Sequence, residues 1–211
     1  CLVEDGAHAF GSSWKNKKVG TLADITTFSF NIQKNLAGFG DGGAVSSMYD
    51  VCENIRSLRV HGRTGIRGEF DEVGYNARLS NINSVVCLAK LKKLDEWIDS
   101  KREICKVYEE ELANIVQIPL QRPDSYHTFY AYVIQCPDNT RDALEKFLQD
   151  NGIQTRISWP MGVHMTQAYG VYCLDSLPKT ENVTKNILSL PCYHTLRDQD
   201  HVIQMVNELS L

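Results

Sequence analysis

Phe28-Ser29-Phe30-Asn31-Ile32-Gln33-Lys34-Asn35-Leu36 is the stretch on which the reading of this chain turns. A run rich in aromatic and β-branched residues ends there, a short polar segment carries a single lysine, and Gly38, Gly40, Gly42 and Gly43 follow. Strand, polar loop and glycine-rich turn, in that order, suit a side chain displayed at the end of a strand in an α/β sheet. Upstream, Val3-Glu4-Asp5-Gly6-Ala7-His8-Ala9 repeats the arrangement, with an apolar run closing on an acid before small residues and a histidine.

Working outward, Cys1-Leu2-Val3, Ile25-Thr26-Thr27-Phe28 and the residues after Gly42-Gly43 read as three strands. Short apolar strands broken by Gly and Asp predict a mostly parallel sheet buried on both faces, in an α/β domain. Tyr49 to Val60 is expected to be helical, and residues 61–79, dense in glycine and mixed charge, form a surface connector. One long helix is expected after an N-cap at Ser80, with Cys87, Leu91, Leu94, Ile98, Cys105, Tyr108 and Leu112 along its apolar stripe. Beyond it come a strand over Phe129 to Ile134, a helix capped by Asn139 and ended by Gly152, a strand over Ile153 to Ile157, and a last helix bearing Val202, Ile203, Val206 and Leu209. The division expected is 1–60 as the remnant of a larger sheet domain, 61–79 as connector, and 80–211 as the long helix with a small α/β domain. The chain opens at Cys1 directly into the strand leading to Asp5, and is read as the C-terminal piece of a longer protein.

The formal net charge is −4, with no basic stripe, which argues against a nucleic-acid or anionic-membrane partner. No apolar run approaches the ~20 residues needed to span a bilayer. The seven cysteines are scattered and form no CxxC pair, so they read as reduced thiols of a cytoplasmic protein rather than disulfides. No His/Cys/Asp cluster has metal-ligand spacing, and no GxSxG or P-loop is present, so no metal site is expected.

Lys34, Ser29, Asp5 and His8 together are the parts needed to hold pyridoxal 5′-phosphate as a Schiff base. The lysine supplies the imine, Ser29 can donate to phosphate, Asp5 can keep the pyridine nitrogen protonated, and His8 can reach the phenolic oxygen. Taken singly each has a plainer reading: Lys34 a surface lysine, Ser29 a strand end, Asp5 a solvated turn residue, His8 structural. His61, Arg63 and Arg78 could meet an anionic substrate or solvent alone, Asn76 in Gly74-Tyr75-Asn76 stands out in the connector, and His164 lies in a loop that could approach a site.

The combination resembles the DegT/DnrJ/EryC1/StrS family of sugar aminotransferases, pyridoxal-phosphate enzymes of the aspartate-aminotransferase fold type I. The resemblance rests on Glu4-Asp5-Gly6-Ala7-His8-Ala9-Phe10-Gly11, Gly20-Thr21-Leu22-Ala23-Asp24, the Lys34 stretch, Asp41-Gly42-Gly43-Ala44-Val45, His61-Gly62-Arg63, Gly74-Tyr75-Asn76-Ala77-Arg78-Leu79-Ser80-Asn81-Ile82 and Leu188-Ser189-Leu190-Pro191-Cys192-Tyr193. It implies a partial large domain followed by the small C-terminal domain, with the cofactor roles of Lys34, Asp5, His8 and Ser29 as above. It also implies a homodimer in which Asn76 reaches the phosphate of the partner subunit's cofactor. The amino donor it implies is glutamate, and the acceptor a nucleotide-linked keto-sugar bound for surface polysaccharide or secondary metabolites.

Two departures qualify the resemblance. The usual Glu-Gly-Gly after the lysine is Asp41-Gly42-Gly43, displaced by one residue. The half of the family pattern that carries a phosphate-binding helix N-terminus and the aromatic ring stacked on the cofactor is absent, so this segment by itself is expected to bind cofactor weakly and not to turn over. Two other functions compete: a dehydratase-type family member, which would carry histidine where Lys34 stands, and a truncated, non-catalytic fragment.

Overall fold

The computed structural model describes residues 1–48, 50–63, 65, 68–173 and 175–209. They form two compact units, Cys1–Ile98 with Gln121–Tyr130, and Asp99–Leu120 with Ala131–Leu211. Residues 61–79, read above as a connector, therefore lie inside the first unit.

The first unit begins with strands β1 (Val3–Asp5), β2 (Ser13–Trp14), β3 (Lys17–Lys18), β4 (Ile25–Ser29) and β5 (Gly43–Ser47). Helices α1 (Val51–Leu58), α2 (Asn81–Leu91) and α3 (Leu94–Leu112) follow, the last crossing into the second unit, and β6 (Ser125–Tyr126) returns to the first. The main sheet has the order β1-β4-β5; β1 and β4 are parallel with Asp5 opposite Thr27, whereas β5 runs antiparallel to β4. A second small sheet, β3-β2-β6, is turned by Lys15 and Asn16, both in left-handed backbone as a two-residue hairpin requires. The core gathers Phe30, Leu36, Cys87, Leu94 and Ile98, with Phe10, Phe28, Leu79 and Tyr126 packed against it.

The main sheet is not buried on both faces as expected. Leu2, Val3 and Val45 are exposed, and Thr26 is the one fully buried residue of β4. The expected long helix is two, interrupted at Lys92–Lys93. Its stripe hid the break because Cys87, Leu94 and Ile98 keep three- and four-residue phase across it and pack into one core, while Leu91 faces solvent. The cap is as read: Asn83 N donates to Ser80 Oγ at 3.2 Å. The expected start of α1 at Tyr49 lies outside the described residues.

The second unit adds β7 (Tyr132–Gln135), α4 (Arg141–Asp150), α5 (Pro178–Asn186), β8 (Ile187–Leu190) and α6 (Gln199–Glu208). Strands β7 and β8 are antiparallel, with Tyr132 opposite Leu190. Tyr108 and Leu112 of α3, Leu144 and Leu148 of α4, and Val202 and Val206 of α6 are buried in this unit. Three boundaries moved from their expected places. Phe129 takes a positive φ of 44°, which no strand tolerates, so β7 starts at Tyr132. Asn139 is left-handed rather than a cap, and α4 begins after Thr140. Ile153–Ile157 contributes only an isolated bridge between Arg156 and Ser189. Gly152, with φ 79°, ends α4 as read.

Candidate active site

Because β1 and β4 are parallel neighbours, their C-terminal ends open on the same sheet edge, where crevices of open α/β sheets bind ligands. Asp5 ends β1; Ser29 ends β4, two residues past Asp5's partner Thr27, roughly 6.6 Å further along at the usual strand rise. Gly6 lets the chain turn against β4 at this edge. Its N–H donates to Thr27 O at 2.8 Å, and a Cβ there would stand 2.9 Å from Thr26 Cγ2 and 3.0 Å from Thr27 O. Asp5 Oδ1 accepts from Ala7 N at 3.0 Å, which orients the carboxylate beyond the strand.

The loop after β4 is closed at its neck by Phe30, whose N–H donates to Gly42 O and whose carbonyl accepts from Gly38 N, both at 2.7 Å. Leu36 plugs the loop into the core while Ile32 points to solvent. Inside it, Lys34 N donates to Asn31 O at 2.9 Å, Asn31 Nδ2 donates to Asp41 Oδ1 at 2.8 Å, and Asn31 N donates to Ser29 Oγ at 3.3 Å. The displaced Asp41 thus serves as a brace for the lysine loop. Asn35 Nδ2 donates to Thr128 Oγ1 at 2.9 Å, tying the loop to residues 121–130.

That tie brings in Tyr130. The His8 ring stacks on it, centroids 3.9 Å apart and planes 17° from parallel, and Lys34 Nζ stands 4.7 Å from its centroid. Tyr130 therefore holds His8 and Lys34 at one place. Partial burial and the Lys34 cation lower the pKa of His8 below its ordinary value, opposed by the Asp5 carboxylate, so the imidazole is neutral at pH 7. The arrangement offers an amine, a neutral imidazole, a carboxylate and a hydroxyl around one sheet edge.

Asn76 is not part of this group. It is exposed, bridged to Val60, and its Oδ1 accepts from Arg78 Nη2 at 3.3 Å. Arg63 lies over the Phe70 ring at 5.3 Å, and His61 is held in left-handed backbone. His164 belongs to the second unit, where its Nε2 is 3.3 Å from Glu181 Oε1. Hydrogen bonds from Leu177 N, His164 and Ser176 hold the Glu181 carboxyl below the usual carboxylate range. Among the described residues no group of three or more His, Cys, Asp or Glu is placed to hold a metal, and no helix is long and apolar enough to cross a membrane.

Sequence reasoning missed Tyr130, Thr128 and Asn35. Read as strand, Tyr130 and Tyr132 would share one face. The left-handed turn at Phe129 separates them, sending Tyr132 into the core of the second unit and Tyr130 to the lysine.

The sequence matches the pattern of a known family over residues 1–209. The chain belongs to the DegT/DnrJ/EryC1/StrS aminotransferase family. It is 34% identical, over 99% of its own length, to a dTDP-3-amino-3,4,6-trideoxy-alpha-D-glucose transaminase of Micromonospora megalomicea subsp. nigra, of which it covers 58%. It is 32% identical, over 98% of its length, to the GDP-perosamine synthase of Escherichia coli O157:H7, of which it covers 57%. A crystal structure of a family aminotransferase from Brucella abortus superposes with a TM-score of 0.93 at 29% identity, covering 99% of this chain and 57% of that one. The fold is accordingly the expected fold type I arrangement in partial form. The chain spans 57–58% of the length of these family members.

Proposed function

We propose that this chain carries the lysine-bearing part of a pyridoxal-phosphate-dependent aminotransferase centre, acting on a nucleotide-linked keto-sugar with glutamate as amino donor. The observation that carries the reading is the placing of Lys34 Nζ and His8 against Tyr130, within electrostatic reach of Asp5. The donor set fits the cofactor: Asp5 keeps one carboxylate oxygen beyond its bond to Ala7, and Ser29 Oγ, while accepting from Asn31 N, retains its own proton to donate to a phosphate.

Bound there, pyridoxal phosphate would supply an electron sink for the carbon that loses a proton. Lys34 supplies the primary amine and moves the proton at the amino donor's α-carbon. Asp5 holds the proton on the pyridine nitrogen by a charge-assisted hydrogen bond. His8, neutral at pH 7, can accept or donate at the phenolic oxygen, and Ser29 orients phosphate. An amine at position 34, where a histidine would suit dehydration, favours amino transfer. The sugar acceptor follows the named activities of the relatives, which use different nucleotides, so the nucleotide is left open. A role in making amino sugars for surface polysaccharide in the cytoplasm follows from the same reading.

The homodimer belongs to this proposal. Ile82, Val85, Leu88 and Leu91 recur every third residue along α2 and are all exposed, a stripe suited to a second copy. Asn76, exposed just before α2, is available to reach the partner's phosphate.

The test is borohydride reduction of the whole protein after incubation with pyridoxal phosphate, followed by peptide mapping. The reduced pyridoxyl group is expected on Lys34, and Asp5→Asn is expected to weaken cofactor retention. Labelling of other lysines with Lys34 untouched would refute the assignment. A whole protein that takes up no cofactor at Lys34 would support the non-catalytic reading.

A further inference from the structure

Inside the second unit the sulfurs of Cys105 and Cys192 stand 3.3 Å apart, although the residues are 87 positions apart in the chain. Cys105, from α3, is 0% exposed; Cys192, two residues past β8, is half-buried. Tyr108, one turn after Cys105, donates its hydroxyl to Pro191 O at 3.0 Å and so fixes the residue preceding Cys192. Lys101, one turn before Cys105, is itself only 8% exposed and close enough for its cation to act on both sulfurs. The hydrogen bond with Cys105 and the Lys101 ammonium lower the pKa of Cys192 against the opposing effect of burial, whereas the same hydrogen bond and burial raise that of Cys105. The pair is thus asymmetric: Cys192 is the thiol that gives up its proton more readily, and Cys105 keeps its own. Glu109, Tyr108 and Tyr132 are titratable groups that also face the pair.

We propose that Cys105 and Cys192 form a covalent modification site, a spatial thiol pair that a hydroperoxide converts reversibly into a disulfide. The Cys192 thiolate attacks the outer oxygen of the hydroperoxide; the O–O bond breaks, an S–O bond forms, and the alcohol or water leaves with a proton. Cys192 is then a sulfenic acid. The Cys105 sulfur attacks the Cys192 sulfur; the S–S bond forms, the S–O bond breaks, and hydroxide leaves with the Cys105 proton as water. Two thiols and one hydroperoxide give one disulfide, one alcohol (or water) and one water. The sulfurs need to close to about 2.05 Å, roughly 1.2 Å less than their present separation. The bond joins α3 to the end of β8 and closes a long loop, which raises the thermal midpoint by constraining the unfolded chain.

The test uses the whole protein, equimolar hydrogen peroxide, and peptide mapping without reductant. The expected product is a linked Cys105–Cys192 peptide, two hydrogens lighter than its parts. It should form before Cys52 or Cys173 is modified, be reversed by dithiothreitol, and be accompanied by a thermal midpoint several degrees higher. In Cys105→Ser the reaction is expected to stop at a Cys192 sulfenic acid that dimedone traps. The proposal is overturned if Cys105 stays open to alkylation after unfolding while Cys52 and Cys173 are oxidised, or if Cys192 pairs with another cysteine. The mapping on the unaltered protein decides the matter even if the variant does not fold.

Discussion

Leu36→Ala tests how the lysine loop is held. Leu36 is 2% exposed among Phe30, Cys87, Leu94 and Ile98, two residues past Lys34, and Ile32, two residues before Lys34, is 62% exposed. Removing the Leu36 side chain forfeits its transfer from water and leaves a cavity that the surrounding α2 and α3 residues fill only in part. For a leucine so enclosed the cost is about 3 kcal/mol, a factor of roughly 100 in the folding equilibrium. The same truncation at Ile32 removes surface that is already wet and should cost under about 0.5 kcal/mol. Urea denaturation followed by circular dichroism reads the difference as a fall in midpoint at unchanged slope for Leu36→Ala and almost none for Ile32→Ala. The loop argument adds a second readout: with Leu36 gone, the Lys34 ammonium leaves Tyr130, and the His8 titration midpoint moves upward. Equal costs at the two positions, or a Leu36→Ala protein with His8 unmoved, would refute the anchoring of Lys34 by the core.

His8 is expected to titrate below 6.5 by NMR; Lys34→Met removes a nearby cation and raises the midpoint, whereas Asp5→Asn removes an anion and lowers it, and identical midpoints in all three proteins would contradict the grouping. Since the folded value lies below the unfolded one, protons bind the unfolded chain more readily, and the His8 contribution to stability is lost as pH falls from 6.5 through the folded midpoint. Ser80→Ala deletes the acceptor of Asn83 N at the start of α2 and should cost about 1 kcal/mol by the same denaturation assay, with Ser80→Asp retaining most of it.

The parts of the fold legible in the sequence are those set by local pattern. Ser80 could be named as a cap because its hydroxyl answers an N–H three residues on, and α6 could be placed because Val202, Ile203 and Val206 repeat at helical spacing. Asp5 and Ser29 were readable for a related reason: each ends a short strand, and the parallel pairing of β1 and β4 brings two strand ends to one edge. Where local pattern continues across a structural change it misleads. The stripe from Cys87 to Ile98 runs through the turn between two helices, and the aromatic run at 129–132 runs through a residue of positive φ.

What local pattern cannot carry is a contact between distant segments. Lys34 and Tyr130 are brought together by Leu36 in the core, by the Asn35–Thr128 hydrogen bond and by the left-handed turn at Phe129. None of these has a period, and each alone is a common feature. Viewed from its own loop, Lys34 is a lysine among polar neighbours, as many surface lysines are. Its chemistry depends on a tyrosine and a histidine that meet it only after the core has closed. The cysteines repeat the lesson in the second unit: their odd count and scattered spacing say only that they are reduced thiols, and it is packing of α3 against the end of β8 that sets two of them in contact beside a buried lysine. In both places reactivity comes from neighbours that packing supplies, so variants of those neighbours, rather than of the reactive residues themselves, are the sharper probes of either assignment.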